Sequence, residues 1–215
     1  NFMRIQDDFK FNVSVSKDAY KNKKETKAAL ANGEEGKQER KALGITRQIS
    51  FYTIAVTPQQ LLEYALNGHT FCAVHSDFPS NTEKEYYTYS DGYYSMKAKS
   101  SQFFAFSNFI GIDIDQTSYP TAHDFIAKLS LKPTFWYTSL RNQKIDEKTG
   151  ESLGARFRLI YVFDTPIRGK YFFRFCASRI YNRVETDTEE QIHDDCGLRC
   201  SQYFNGTNRN SDSYN

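Results

Sequence analysis

Asp113 and Asp115 stand two positions apart in the run NFIGIDIDQT, residues 108–117, interleaved with Ile112 and Ile114. A strand sends successive side chains to opposite faces, so the two carboxylates project from the same one. Like charges side by side repel unless a cation or strong donors come between them. Phe109, Ile110, Ile112 and Ile114 predict an interior strand, where paired acids are costly unless used. Oxygen donors in this arrangement suit Mg2+ or Mn2+, so Asp113 and Asp115 are candidate metal ligands. The competing reading is a half-exposed strand whose outer face carries two acids by chance.

Arg156 and Arg158 open the run RFRLIYVF and share a face by the same period of two. Guanidinium forks match phosphate oxygens. Beside a diacid strand they would make a metal-plus-cation site for a polyphosphate. Either arginine can instead pair with Asp113 or Asp115, with no ligand between them. His193, Asp194 and Asp195 offer a further carboxylate for a metal site, or simply continue the solvated acidic stretch of Glu189 and Glu190.

These residues need elements to hold them. Residues 1–45 read as a charged N-terminal arm, partly helical and broken at Gly33 and Gly36. QISFYTIAV, residues 48–56, predicts a strand. Thr57, Pro58 and Gln60 then supply an N-cap, a first-turn proline and a capping-box partner for the helix LLEYALN. Gly68 ends that helix, and residues 70–75 return as a strand. Residues 76–95, rich in Tyr, Ser, Asn and Asp, predict a long surface excursion. The diacid strand follows, then a helix over 122–131 and a strand over 134–138. Residues 139–155 read as a polar hairpin-like loop. The arginine strand covers 156–163, closed by Asp164-Thr165-Pro166. An amphipathic helix over 170–184 follows, with Phe172, Phe175, Cys176, Ile180 and Val184 at helical spacing. Strands alternating with helices, with hairpins mixed in, give an α+β or mixed α/β fold containing a βαβ-like unit. No glycine-rich phosphate loop is present, so any ligand must be held by side chains.

Composition narrows the setting. The chain has 215 residues, 39% apolar and 16% aromatic, enough for a packed core over residues 46–215. Its 28 basic and 26 acidic residues leave a formal charge of +2, so only a local patch could hold nucleic acid. No apolar run is long enough for a membrane span. No leader pattern is visible, and the first residue is not Met, as expected for a piece of a longer protein. Of the four cysteines only Cys196 and Cys200 are close, a weak zinc signal. Reduced thiols and a cytoplasmic location are expected.

The order of features carries more than any one of them. A strand with hydrophobic-Asp-hydrophobic-Asp is followed by a helix, the strand TFWYTS, the strand RFRLIYVFDTPI, and an acid ahead of LRCSQYFNGTN. From about Thr57 to Thr207 this series resembles the archaeo-eukaryotic primase superfamily, in particular the primase-polymerase domains of plasmids, phages and other mobile elements. The resemblance implies an α+β catalytic core, a mixed sheet with flanking helices of the RRM-like kind, with α/β elements N-terminal to it. It implies DNA-primase or polymerase-type nucleotidyl transfer with Mg2+ or Mn2+. Asp113, Asp115 and Asp194 or Asp195 match the family's metal-binding acids. Its second motif ends in His; here Arg158 stands at that place. Arg156 and Arg158, with Ser139 and Arg141 nearby, would bind the triphosphate. Lys97 and Lys99 would contact template or nucleotide, and Tyr86, Tyr87, Tyr89, Tyr93 and Tyr94 could stack on single-stranded bases or pack their own loop. The implied partners are nucleoside triphosphates, a single-stranded DNA template and a C-terminal helicase domain, with no membrane. Two other readings stay open: a nucleotide- or nucleic-acid-binding module of the same fold without turnover, and a metal-dependent nuclease. A rolling-circle initiator fits less well, because none of the histidines pair around an apolar residue.

Overall fold

Phe11, Val13 and Val15 alternate with Asn12, Ser14 and Ser16, and that period of two builds a strand at the centre of a sheet. A computed structural model of the protein describes residues 8–20, 22–31, 33–45, 49–75, 94–95, 104–145, 149–150, 152–192, 195–207 and 213–214. The strands are β1 (Phe11–Ala19), β2 (Ser50–Val56), β3 (His69–Cys72), β4 (Val74–His75), β5 (Tyr94–Ser95), β6 (Phe104–Ile114), β7 (Phe135–Thr138), β8 (Phe157–Arg168), β9 (Tyr203–Phe204) and β10 (Ser213–Tyr214). The helices are α1 (Lys23–Leu30), α2 (Gly33–Ala42), α3 (Pro58–Leu66), α4 (Ala122–Lys128) and α5 (Lys170–Thr188). A 3-10 turn covers Asp195–Leu198. None of these helices is long and apolar enough to cross a membrane.

The architecture is α+β with two five-stranded sheets, ordered β5-β2-β1-β3-β9 and β10-β7-β8-β6-β4. Every described pairing is antiparallel, so the expected mixed sheet is corrected. The reason lies in the crossovers. β2 and β3 run parallel to one another through α3, but β1 lies between them. β6 and β7 run parallel through α4, with β8 between them. Each βαβ unit is split by a returning strand, so its parallel strands never touch.

The expected N-terminal arm is corrected as well. β1 is hydrogen-bonded on both sides, and Val13 and Val15 are fully buried. Only the charged helices behind it keep an arm-like exposed face. α1 and α2 pack together, and the Arg40 Nη1 donates to the carbonyls of Ala28 and Ala31, at 3.1 and 2.5 Å. The stretch expected as one strand over 70–75 is divided at Ala73: β3 belongs to the first sheet and β4 to the second. The α3 cap forms as its residues dictate. The Gln60 backbone N–H donates to Thr57 Oγ1 and the Thr57 N–H to Gln60 Oε1.

Three buried clusters arrange these layers. Val13, Val15, Phe71 and Phe204 of the first sheet meet Phe109, Phe135, Tyr137, Ile160 and Val162 of the second, with Leu61, Leu62 and Ala65 of α3. The far face of the second sheet, including Ile110, Ile112, Ile114, Leu159 and Tyr161, packs on α4 and α5. The far face of the first sheet covers Ile49, Phe51 and Cys72 with Ala29 of α1. β8 continues through Pro166 to Arg168 rather than ending at Asp164, because a register shift near Ser107 accommodates the proline. α4 stops at Lys128, earlier than expected, because Leu129 is already extended.

Candidate active site

The register of the second sheet sets Tyr137 of β7, Arg158 of β8 and Asp113 of β6 directly across from one another. All three occupy one row on the face turned toward the first sheet. Cross-strand neighbours on one face lie close enough to pair. Arg158 donates from Nε and Nη2 to Asp113 Oδ2, at 3.2 and 3.0 Å. Its remaining Nη1 donates to the Asn205 carbonyl at 2.9 Å, and the Tyr137 hydroxyl donates to the same carbonyl at 3.1 Å. The guanidinium also lies over the Tyr137 ring, 5.7 Å from its centroid. Burial works against the Arg158 charge, but Asp113 and Tyr137 outweigh it and hold the guanidinium above its ordinary value. Burial also drives the Tyr137 phenol upward, against the opposing pull of Arg158.

Asp115 follows the end of β6 and meets the other arginine. Arg156 Nη1 lies 3.3 Å from Asp115 Oδ1. Arg156 is itself placed by the Asn142 side chain, whose Oδ1 accepts from its backbone N–H, and by a bond from Nε to the Leu153 carbonyl. The two ion pairs differ in kind. The Asp113 and Arg158 side chains are 15% and 10% exposed, while Asp115 is 56% exposed. An exposed pair is worth about 0–1 kcal/mol and exchanges readily for a ligand; in the buried one both bonds fall on Asp113 Oδ2 and Arg158 stays in place.

A cleft of about 260 Å3 opens at this end of the sheet, lined by Asp113, Ile114, Asp115, Gln116, Phe125, Arg156, Glu190, Gln191 and Ile192. Glu190 joins the cleft because α5 runs on to Thr188 and Glu189 then turns the chain in a left-handed conformation, φ 58°. Its carboxylate accepts from the hydroxyl of Thr117 at 2.6 Å, and from the backbone N–H and hydroxyl of Ser118. Partial burial pushes this carboxyl up, but the Ser118 and Thr117 bonds win and hold it below its ordinary value of 4.5. A carboxylate with a lowered folded value contributes stability above its unfolded value, and loses it as pH falls through the folded one. Glu190→Gln should therefore flatten the acid limb of stability below about pH 4.5. Urea midpoints measured against pH for both proteins check this; parallel acid limbs would contradict it.

The structure thus joins Asp113, Asp115 and Arg156 at one cleft. It places Arg158 behind Asp113, outside the residues that line the opening. Ser139 is buried and its Oγ accepts from the Arg141 backbone N–H, while the Arg141 side chain is exposed; neither lines the cleft. Asp195 begins the 3-10 turn, and Asp194 and His193 lie outside the described residues, as do Lys97, Lys99, Tyr86, Tyr87, Tyr89 and Tyr93. Tyr94 pairs with Phe51 in the first sheet. Among the described residues no group of three metal-ligating side chains comes together. Asp113 and Asp115 supply hard oxygen donors at one opening, which suits Mg2+ or Mn2+ in type. No family model, curated protein or solved structure matches the chain.

Proposed function

We propose that this cleft binds a nucleoside triphosphate with Mg2+ or Mn2+ and transfers its nucleotidyl group to a 3′-hydroxyl, the α–β phosphoanhydride bond breaking to release pyrophosphate, as a primase-polymerase domain does. The observation that carries the reading is the convergence of Asp113, Asp115 and Arg156 on one cleft at the end of β6. The topology supports it. β6, α4, β7, β8 and α5 follow one another as β-α-β-β-α in the spatial order β7-β8-β6, with β4 antiparallel beyond β6, an RRM-like arrangement.

Asp113 and Asp115 would hold the ion, which supplies charge stabilisation at the phosphates and a more acidic attacking hydroxyl. Arg156 is the residue for the triphosphate: its exposed partner lets the guanidinium turn from Asp115 to a phosphate oxygen. Arg158 is a positioning residue, because both ends of its fork are engaged and it keeps the Asp113 carboxylate aimed. A single-stranded DNA template and a following helicase domain complete the proposed setting.

One observation favours a binding module without turnover: each aspartate already carries an arginine. Labelled dNTP, a primed template and Mn2+ separate the readings. Incorporation is expected for the wild type and its loss for Asp115→Asn, an exposed position where the fold is not at stake. Nucleotide binding without incorporation selects the binding module, and cleavage of the labelled strand selects a nuclease.

A further inference from the structure

The first turns of α5 carry apolar side chains on two opposite faces. Phe173 and Ala177 pack into the core under the second sheet. On the outside, Tyr171, Phe172 and Phe175 are 80%, 56% and 60% exposed, three of the four large exposed hydrophobic residues among those described. The Phe172 and Phe175 rings lie nearly parallel, 15° apart in plane and 6.3 Å between centroids. A helix apolar on both sides ordinarily has a partner on both.

Along the chain the charge flanking these rings has one sign. Residues 165–184 contain five cations, Arg168, Lys170, Arg174, Arg179 and Arg183, and no acid. Arg183 is engaged with Asp187 and Ser130. Arg174 and Arg179 are exposed and make no ion pair among the described residues. The cleft lies past the other end of α5. Phe175 and Phe172 are roughly 20 and 24 Å from Thr188 along the helix, at 1.5 Å per residue.

We infer that the outer face of α5 is a docking platform for single-stranded nucleic acid, separate from the cleft. Two features must be satisfied together: flat apolar rings left in water, and two exposed cations, Arg174 and Arg179, with no ion pair among the described residues. A single strand offers both a regular polyanion and unpaired bases with open π-faces, whereas a duplex hides its bases. Phe172 and Phe175 would stack on bases while Arg174 and Arg179 meet phosphates. The inference rests on this surface alone and does not depend on chemistry at Asp113 and Asp115.

Fluorescence anisotropy with labelled dT20 and a 20-base-pair duplex tests it. Phe172→Ala with Phe175→Ala should weaken dT20 binding by about tenfold or more and leave duplex binding and the melting temperature unchanged. Phe172→Tyr with Phe175→Tyr should keep binding, since the ring faces remain. Arg174→Gln with Arg179→Gln should reduce the salt dependence of dT20 binding by roughly one unit of log-log slope. Asp115→Asn should bind dT20 like the wild type even where it no longer incorporates nucleotide. Wild-type affinity in the alanine pair, or an equal loss for dT20 and duplex, overturns the inference and leaves the face to a protein partner.

Discussion

Arg158→Met is expected to destabilise the folded protein by about 3–5 kcal/mol, the cost of leaving one member of a buried pair uncompensated. Arg158 donates three hydrogen bonds, two to Asp113 and one to the Asn205 carbonyl. Methionine fills much of the space and supplies none of them. The Asp113 carboxylate would remain, mostly buried, without its counter-charge. Replacing both partners is a different matter, because no orphaned charge is then left. Asp113→Leu with Arg158→Met should lie within about 1–2 kcal/mol of the wild type, since apolar substitutes for a buried pair are often neutral or better. Urea unfolding of both single variants and the double one gives the coupling. Additive losses would show that water, not Arg158, solvates Asp113. The double variant also separates stability from function. It should fold and fail to incorporate nucleotide, because the carboxylate proposed to hold the ion is gone.

The same residues show what the sequence could and could not disclose. Alternation alone put Asp113 and Asp115 on one face and Arg156 and Arg158 on another strand's face. Which arginine meets which aspartate depends on the β6–β8 register, a long-range property that no local pattern carries. Register also determines that Tyr137 completes the row, although Tyr137 read only as part of a strand. Glu190 was legible as one of several acids after a helix; its place in the cleft comes from four more residues of helix and one left-handed turn. The central place of β1 is hidden in the sequence because Asn12, Ser14 and Ser16 suit a solvent-facing side. Those serines are buried and satisfied: Ser14 shares a hydrogen bond with Thr53 Oγ1, and Ser16 donates to the Asp18 carbonyl and accepts from the Thr70 N–H. A small hydroxyl with a partner can enter a core that composition alone would deny it.

Gly111→Ala should cost about 2–3 kcal/mol, although it adds only one methyl. Gly111 lies on the face of β6 that carries Asp113, and the Phe204 ring rests against it. A Cβ at this position would stand 2.6 Å from Phe204 Cε1. Alanine would gain about 0.4–1 kcal/mol from a less flexible unfolded chain, too little to offset the overlap. The ring has little room to retreat, since it is buried and packed on Phe71 and Phe109 at centroid distances of 5.6 and 6.0 Å. If it moves, it carries Asn205 with it, and the Asn205 carbonyl anchors both Arg158 and Tyr137. The overlap should therefore be felt at the Asp113 row as well as in the core. Phe204→Leu alone should destabilise by leaving a partial cavity. In the double variant the smaller side chain admits the new methyl, so the two costs should fall short of their sum by about 1 kcal/mol or more. Strict additivity in urea unfolding would mean that Phe204 does not press on Gly111, and that the β9 segment and the aspartate strand move independently.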